Sequence, residues 1–182
     1  MAEQEFRAYI HLLSGEYARG RSGTPFRLSA EINIAIEELM RHAMRELCIA
    51  TTAFAESRYE RPSFEGVAHD FLARSPRNQL RLFARDTTRD SAFVERLREA
   101  APAQVAFGLV PEQYWDKNYR IFELVLVDRR SGTPSFWIDD SIVPEAERHD
   151  CGGLLGFNGA DLDLLKDVQR HFTCFDRVAL FA

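Results

Sequence analysis

Lysine is nearly missing from this sequence. Of 23 basic residues only Lys117 and Lys166 are lysines, so positive charge is carried by arginine, whose planar fork suits carboxylate and phosphate. Cysteine is also scarce. Cys48, Cys151 and Cys174 are odd in number and irregularly spaced, which excludes a disulfide framework and makes reduced thiols the default. Long apolar runs are absent, since the longest, such as FELVLV with Glu123 inside it, falls far short of the roughly 20 residues a bilayer crossing takes. The opening MAEQEFRAYIHLL places Glu3 and Glu5 before its first base, whereas a secretory leader needs a basic start and a clean apolar stretch. A cytoplasmic chain without membrane contact is expected. No repeat, low-complexity tract, glycine-rich phosphate loop, dinucleotide fingerprint or serine elbow occurs, so the common nucleotide-binding and hydrolase signatures give no lead and no cofactor is expected.

What is present is ordinary globular material. With 182 residues, 46% of them hydrophobic and 28% charged, the chain can bury one core without staples. The formal charge of -5 is not the footprint of a nucleic-acid binder, for which a local arginine stripe would have to compensate. Residues 1–24 read as an arm, helical where Phe6, Tyr9, Ile10 and Leu13 recur at i, i+3, i+4, i+7, and closed by the loop signal ARGRSGTPF. Such an arm either packs on its own domain or reaches across a dimer. Residues 25–182 read as a single α/β domain.

Within that domain a helix is expected from Ser29 to Leu47, where Ile32, Ile36, Leu39, Met40, Ala43 and Leu47 keep helical spacing. LCIATTAF follows as a strand. PSFEGVAHDFLARS is an amphipathic helix behind Ser63, QLRLFARD a strand, DSAFVERLREAA a helix capped from Asp90, and QVAFGLV a strand. After the loop PEQYWDKN comes YRIFELVLVDRR, then a glycine turn into PSFWID. An acidic loop, Asp139 to Asp150, leads through CGGLLGFNG to a last helix from about Asp161 to Phe172 and the tail FDRVALFA. Alternating strands and helices followed by a hairpin predict a mixed sheet flanked by helices.

This order, together with IFELVLVD, resembles one half of a phospholipase D-like fold, whose motif is H-x-K-x4-D followed by a Gly, Ser and Asn turn. The stretch MRELCIATTAFAESRYERPSF is similar, more narrowly, to an uncharacterised bacterial family of degenerate members. In the superfamily the resemblance implies that histidine attacks phosphorus while lysine and asparagine hold its oxygens. Two halves normally face each other, so a single half would act as a homodimer. Laid on the motif, Asp128 takes the aspartate position, Ile121 the histidine position, Glu123 the lysine position and Asn158 the asparagine position. The nucleophile is then missing, and a carboxylate would repel the oxygens that a lysine attracts.

The resemblance therefore implies a non-catalytic binding or regulatory module, with a protein partner or second copy expected ahead of nucleic acid and with room for a small ligand. Glu123, Asp128, Asn158, Tyr114, Trp115 and Trp137 are its candidate ligand-binding residues, the aromatics because they cluster around the loop overlooking the pocket. Glu123 either sits at a solvated rim or, if buried, takes Arg81, Arg85 or Arg120 as its partner. Two other classes stay open. One is an enzyme with rebuilt chemistry, in which Glu123, Asp128 and His149 or Cys151 supply acid, base or nucleophile; the other is a nucleic-acid binder using arginines. His149-x-Cys151 and His171-x-x-Cys174 hold enough ligands for zinc only if the two segments meet, and neither spacing is a standard knuckle, so no metal is expected. His69 falls off its helix's apolar stripe and should face solvent.

Overall fold

Strands that alternate with amphipathic helices must bury both faces of the sheet, and the helices divide unequally to do so. The computed structural model describes residues 3–13, 24–26, 29–54, 58–85, 91–115, 123–131, 133–138 and 153–181. Their order is α1 (Glu3–Leu13), β1 (Thr24–Phe26), α2 (Ser29–Arg41), β2 (Glu46–Thr51), α3 (Pro62–Ala73), β3 (Gln79–Arg85), α4 (Ala92–Ala100), β4 (Val105–Val110), β5 (Glu123–Val127), β6 (Ser135–Ile138), β7 (Gly153–Gly156), α5 (Leu162–Val178) and β8 (Leu180–Phe181). The eight strands form one sheet in the order β1-β7-β6-β5-β2-β3-β4-β8. β2, β3 and β4 run parallel and the remaining pairings are antiparallel. The expected mixed sheet flanked by helices is present. Among the described residues no helix is long and apolar enough to cross a membrane.

Alternation along each strand sorts the core into two layers. Leu47, Ile49, Leu80, Leu82, Val125, Val127, Trp137 and Leu155 meet residues of α1 to α4 on one face, including Ile36, Leu39, Phe64, Phe71 and Phe93. On the other face Cys48, Ala50, Phe83, Leu124, Leu126, Phe136 and Ile138 meet Leu165, Val168, Phe172 and Phe175 of α5. All five described residues of β5 are buried, which is why that stretch is hydrophobic at nearly every position rather than at every second one. α1 lies against α2 with Phe6 and Ile10 in the first layer, while Arg7 reaches Glu38 at 2.6 Å and Glu37 at 3.0 Å. Tyr9 stays 40% exposed. The arm thus packs on its own domain along this contact.

Several boundaries differ from the sequence expectation. α2 stops at Arg41 instead of running to Leu47, because the N–H groups of Met44, Arg45 and Glu46 bond the Asp128 side chain and leave the helical ladder. α3 starts two residues earlier than a Ser63 cap requires, with Pro62 in its first turn, where a missing N–H costs nothing. The Asp90 cap lies outside the described residues; Ser91 occupies the position before α4. α5 continues past Phe172 to Val178, capped at its start by the Asp161 side chain accepting from Leu164 N–H. β1, β7 and β8 were not expected as strands. β7 is disguised by its glycines, since a Cβ on Gly153 would strike the Trp137 ring and one on Gly156 the Phe136 ring. Glycine weakens strand propensity yet lets an aromatic ring of the neighbouring strand lie across the backbone.

Candidate functional site

β5 carries two acids whose surroundings are set by the direction of the strand. Because β5 runs antiparallel to β2, Glu123 pairs with Thr51 at the carboxyl end of β2, while Val127 pairs with Leu47 near its start. Glu123 and Asp128 are five residues apart in sequence, which at about 3.4 Å per strand residue separates them by roughly 17 Å. They belong to opposite ends of the sheet. The structure does not bring Asn158, which follows β7 at the Asp128 end, to Glu123.

At the Glu123 end the residue is only 5% exposed, so the solvated-rim reading does not apply. Its partner is Arg58, from a short 3-10 turn over Arg58–Glu60, with Nε 3.4 Å from Glu123 Oε1. Two of the three arginines expected from sequence pair elsewhere. Arg81 pairs with Asp176 at 3.3 Å, Arg85 with Glu112 at 3.3 Å, and Arg120 lies outside the described residues. Arg58 also donates from Nη1 to Asn33 Oδ1 at 3.2 Å. Tyr59 is fully buried next to the pair, with its ring edge-on to Phe54 and Phe64. Burial first, and then the adjacent Glu123 carboxylate, hold its phenol well above the ordinary range. This end is an ion pair beside a buried tyrosine that packs on two phenylalanines. Ile121 lies outside the described residues.

At the opposite end Asp128 has φ +52°, a left-handed backbone that Asp tolerates better than most residues. Its Oδ1 accepts from Arg45 N–H at 2.7 Å and Glu46 N–H at 3.0 Å, and its Oδ2 from Met44 N–H at 2.9 Å. Its own N–H donates to Glu46 O at 2.8 Å. The carboxylate therefore fastens the end of β5 to the start of β2. Beside it opens a cavity of about 650 Å³, with Asp128 and Asn158 among its walls and Arg45, Arg77 and Arg130 around it. Asn158, at φ +51°, donates its N–H to Ser135 Oγ at 3.0 Å. Of the six candidate residues, these two share one cavity.

The aromatic candidates do not converge. Trp115 lies under α5, its ring centroid 5.0 Å from that of Phe175 and its Nε1 donating to Val110 O at 3.0 Å. Trp137 is buried in the layer on the opposite face of the sheet, and Tyr114 is 40% exposed on the turn after β4. Core packing, not a shared ligand wall, accounts for both tryptophans.

Three described histidines and the second lysine are held by their own helices. His42 Nδ1 sits 2.7 Å from Glu38 O, His171 Nδ1 2.8 Å from Asp167 O, and His69 3.7 Å from Glu65 on the half-exposed side of α3. Lys166 pairs with Asp163 on the exposed side of α5. His149 and Cys151 lie outside the described residues, so their meeting with His171 and Cys174 is not described either; among the described residues no three potential metal ligands gather at one point. Cys48 is completely buried beneath α5, and burial, reinforced by the Glu46 charge, pushes its thiol far up. A thiol held protonated is a poor nucleophile. In a Cys151→Ser background, iodoacetamide should therefore label Cys174, which is partly exposed, in the folded protein and Cys48 only after denaturant is added. Labelling of Cys48 at native pH 8 as fast as Cys174 would contradict this packing.

Sequence reasoning missed Arg58 as the partner of Glu123 and missed the three arginines around the cavity. A signal for the latter existed. Arg45, Arg77 and Arg130 each stand in a turn bordering a strand, and parallel β2 and β3 begin at the edge of the sheet where antiparallel β5 ends.

The sheet order, the helices on both faces and the position of β5 beside the first parallel strand make a mixed α/β fold, the architecture expected from the resemblance to one half of a phospholipase D-like fold. No family model matches the chain, and no curated protein matches it. Among solved structures it is similar to the phosphatidylserine synthase of Haemophilus influenzae Rd KW20, with a TM-score of 0.52 and 16% identity over 88% of this chain. The chain spans 39% of the length of that synthase. At this identity the likeness speaks for the fold alone.

Proposed function

We propose that this chain is a phospholipase D-like module that binds and does not cleave phosphodiesters. One observation carries the reading: Glu123, which the resemblance aligns with a phosphate-holding lysine, is a buried carboxylate whose neighbouring cation, Arg58, is occupied by Glu123 itself and by Asn33. Two unit charges 4 Å apart interact by about 4 kcal/mol at an effective dielectric of 20. A phosphate oxygen approaching this position meets repulsion of that order from Glu123, offset by an attraction to Arg58 that is already shared. Among the described residues transition-state charge at this position is left without a dedicated donor, and such donors usually supply the largest part of catalysis.

The purified full chain should not turn over bis-p-nitrophenyl phosphate above the buffer blank, and Glu123→Gln should behave identically. Circular dichroism would establish that the variant is folded. Diester hydrolysis by the parent that disappears in folded Glu123→Gln would overturn the proposal.

A further inference from the structure

The cavity at the Asp128 end lies at the other end of the sheet from Glu123, and its charge is of the opposite kind to that of the chain as a whole. Among the described residues two acids border it, and each already has a partner. Glu46 receives Arg129 Nη2 at 3.1 Å, with the Arg129 side chain only 9% exposed, and Asp128 accepts from three backbone N–H groups. Arg129 is held in turn by Asp176 at 2.6 Å, on α5 behind the cavity wall. By contrast Arg45, Arg77 and Arg130 pair with no acid among the described residues. They come from three separate turns. A net charge of -5 makes three such unpaired arginines around one hollow a local reversal of field.

The rest of the lining fits a ligand with an apolar body. Val127 is buried at the end of β5 and Met44 is 69% exposed; arginine stems add further apolar surface. Ser135 Oγ already accepts the Asn158 N–H, so its own hydroxyl proton remains to be donated. A volume of about 650 Å³ lies inside the roughly 300–1,000 Å³ range of small-molecule sites. We infer that this cavity binds a small anion, a phosphate or carboxylate ester or acid carrying an apolar group, through Arg45, Arg77 and Arg130. The inference rests on the binding half of the proposed function. Because the assay below needs no turnover, its failure would leave the diesterase result standing, and the reverse.

Anilinonaphthalene sulfonate, an anion with an apolar body whose fluorescence rises on binding, is the probe. The folded full chain should bind one equivalent saturably and lose affinity with added salt. Neutral N-phenylnaphthylamine should not bind saturably. Arg77→Ala combined with Arg130→Ala should weaken the dye about tenfold to a hundredfold, as expected when charge-assisted contacts are removed. Arg170→Ala, exposed on α5 away from the cavity, should leave it unchanged. Displacement by phenyl phosphate ahead of phenylbutyrate would assign a phosphate ligand, and the reverse order a carboxylate; either supports the site. The inference is overturned by non-saturable binding, by equal binding of the neutral dye, by indifference to the double substitution, or by a single-stranded oligonucleotide displacing the dye ahead of both small anions.

Discussion

Replacing Arg58 with Met should lower the stability of the chain by about 2–4 kcal/mol, measured as the shift in urea midpoint at constant slope. The substitution keeps most of the side chain's volume and removes the charge, so the loss isolates what the guanidinium does. It leaves the Glu123 carboxylate, 5% exposed, beside Tyr59 without the Arg58 charge. Breaking a buried pair from one side costs about 3–5 kcal/mol; the Arg58 side chain is 28% exposed, so water can partly solvate the acid and the expected loss falls about 1 kcal/mol below that range. Adding Glu123→Leu to Arg58→Met should restore stability to within about 1 kcal/mol of the parent, because removing both charges removes the desolvation cost along with the attraction. If Arg58→Met alone stays within about 0.5 kcal/mol of the parent, the pair is not buried as described.

Asp128→Ala should cost about 3 kcal/mol, of which roughly two-thirds comes from the lost charge-assisted bonds to Met44, Arg45 and Glu46 and the remainder from placing alanine in a left-handed conformation. The bonds are partly open to water, which keeps the figure below that of three buried ones. Asp128→Asn, which retains one acceptor oxygen and tolerates positive φ, should fall between parent and alanine variant. Hydrogen exchange supplies a local readout, since the amides of Met44, Arg45 and Glu46 should exchange faster in Asp128→Ala while those of β4 do not. Unchanged exchange at these three amides would show that the carboxylate does not hold the turn.

The two substitutions bear on different ends of one strand and on different questions. Loss at Arg58 would say that the Glu123 carboxylate is held in a structural ion pair. Loss at Asp128 would say that its carboxylate acts as a clamp on backbone, which also shapes the wall of the cavity. The cavity itself is probed by the arginine substitutions, which leave the clamp intact.

How much of this was open to sequence reasoning depended on how local the determining forces are. Periodic apolar spacing marked α3 and α4, and β-favouring runs marked β3 and β4, because those residues face a core on a regular repeat. The stop of α2 at Arg41 was not legible, since the competitor for its backbone is Asp128, more than eighty residues away. β7 was hidden by Gly153 and Gly156, whose use is to admit rings from β6.

By itself the sequence determined that the chain makes a mixed sheet between helices, that it carries almost no lysine, and that an acid interrupts its most hydrophobic strand. Those are properties of composition and short-range pattern, and they survive any arrangement of the elements. Only the tertiary structure decided that Glu123 takes Arg58, that Trp115 and Trp137 lie on opposite faces, and that three turn arginines surround one hollow. Strand order and direction decide which residues meet, and they arise from burying all the apolar faces together, a condition on the whole chain that no local stretch records.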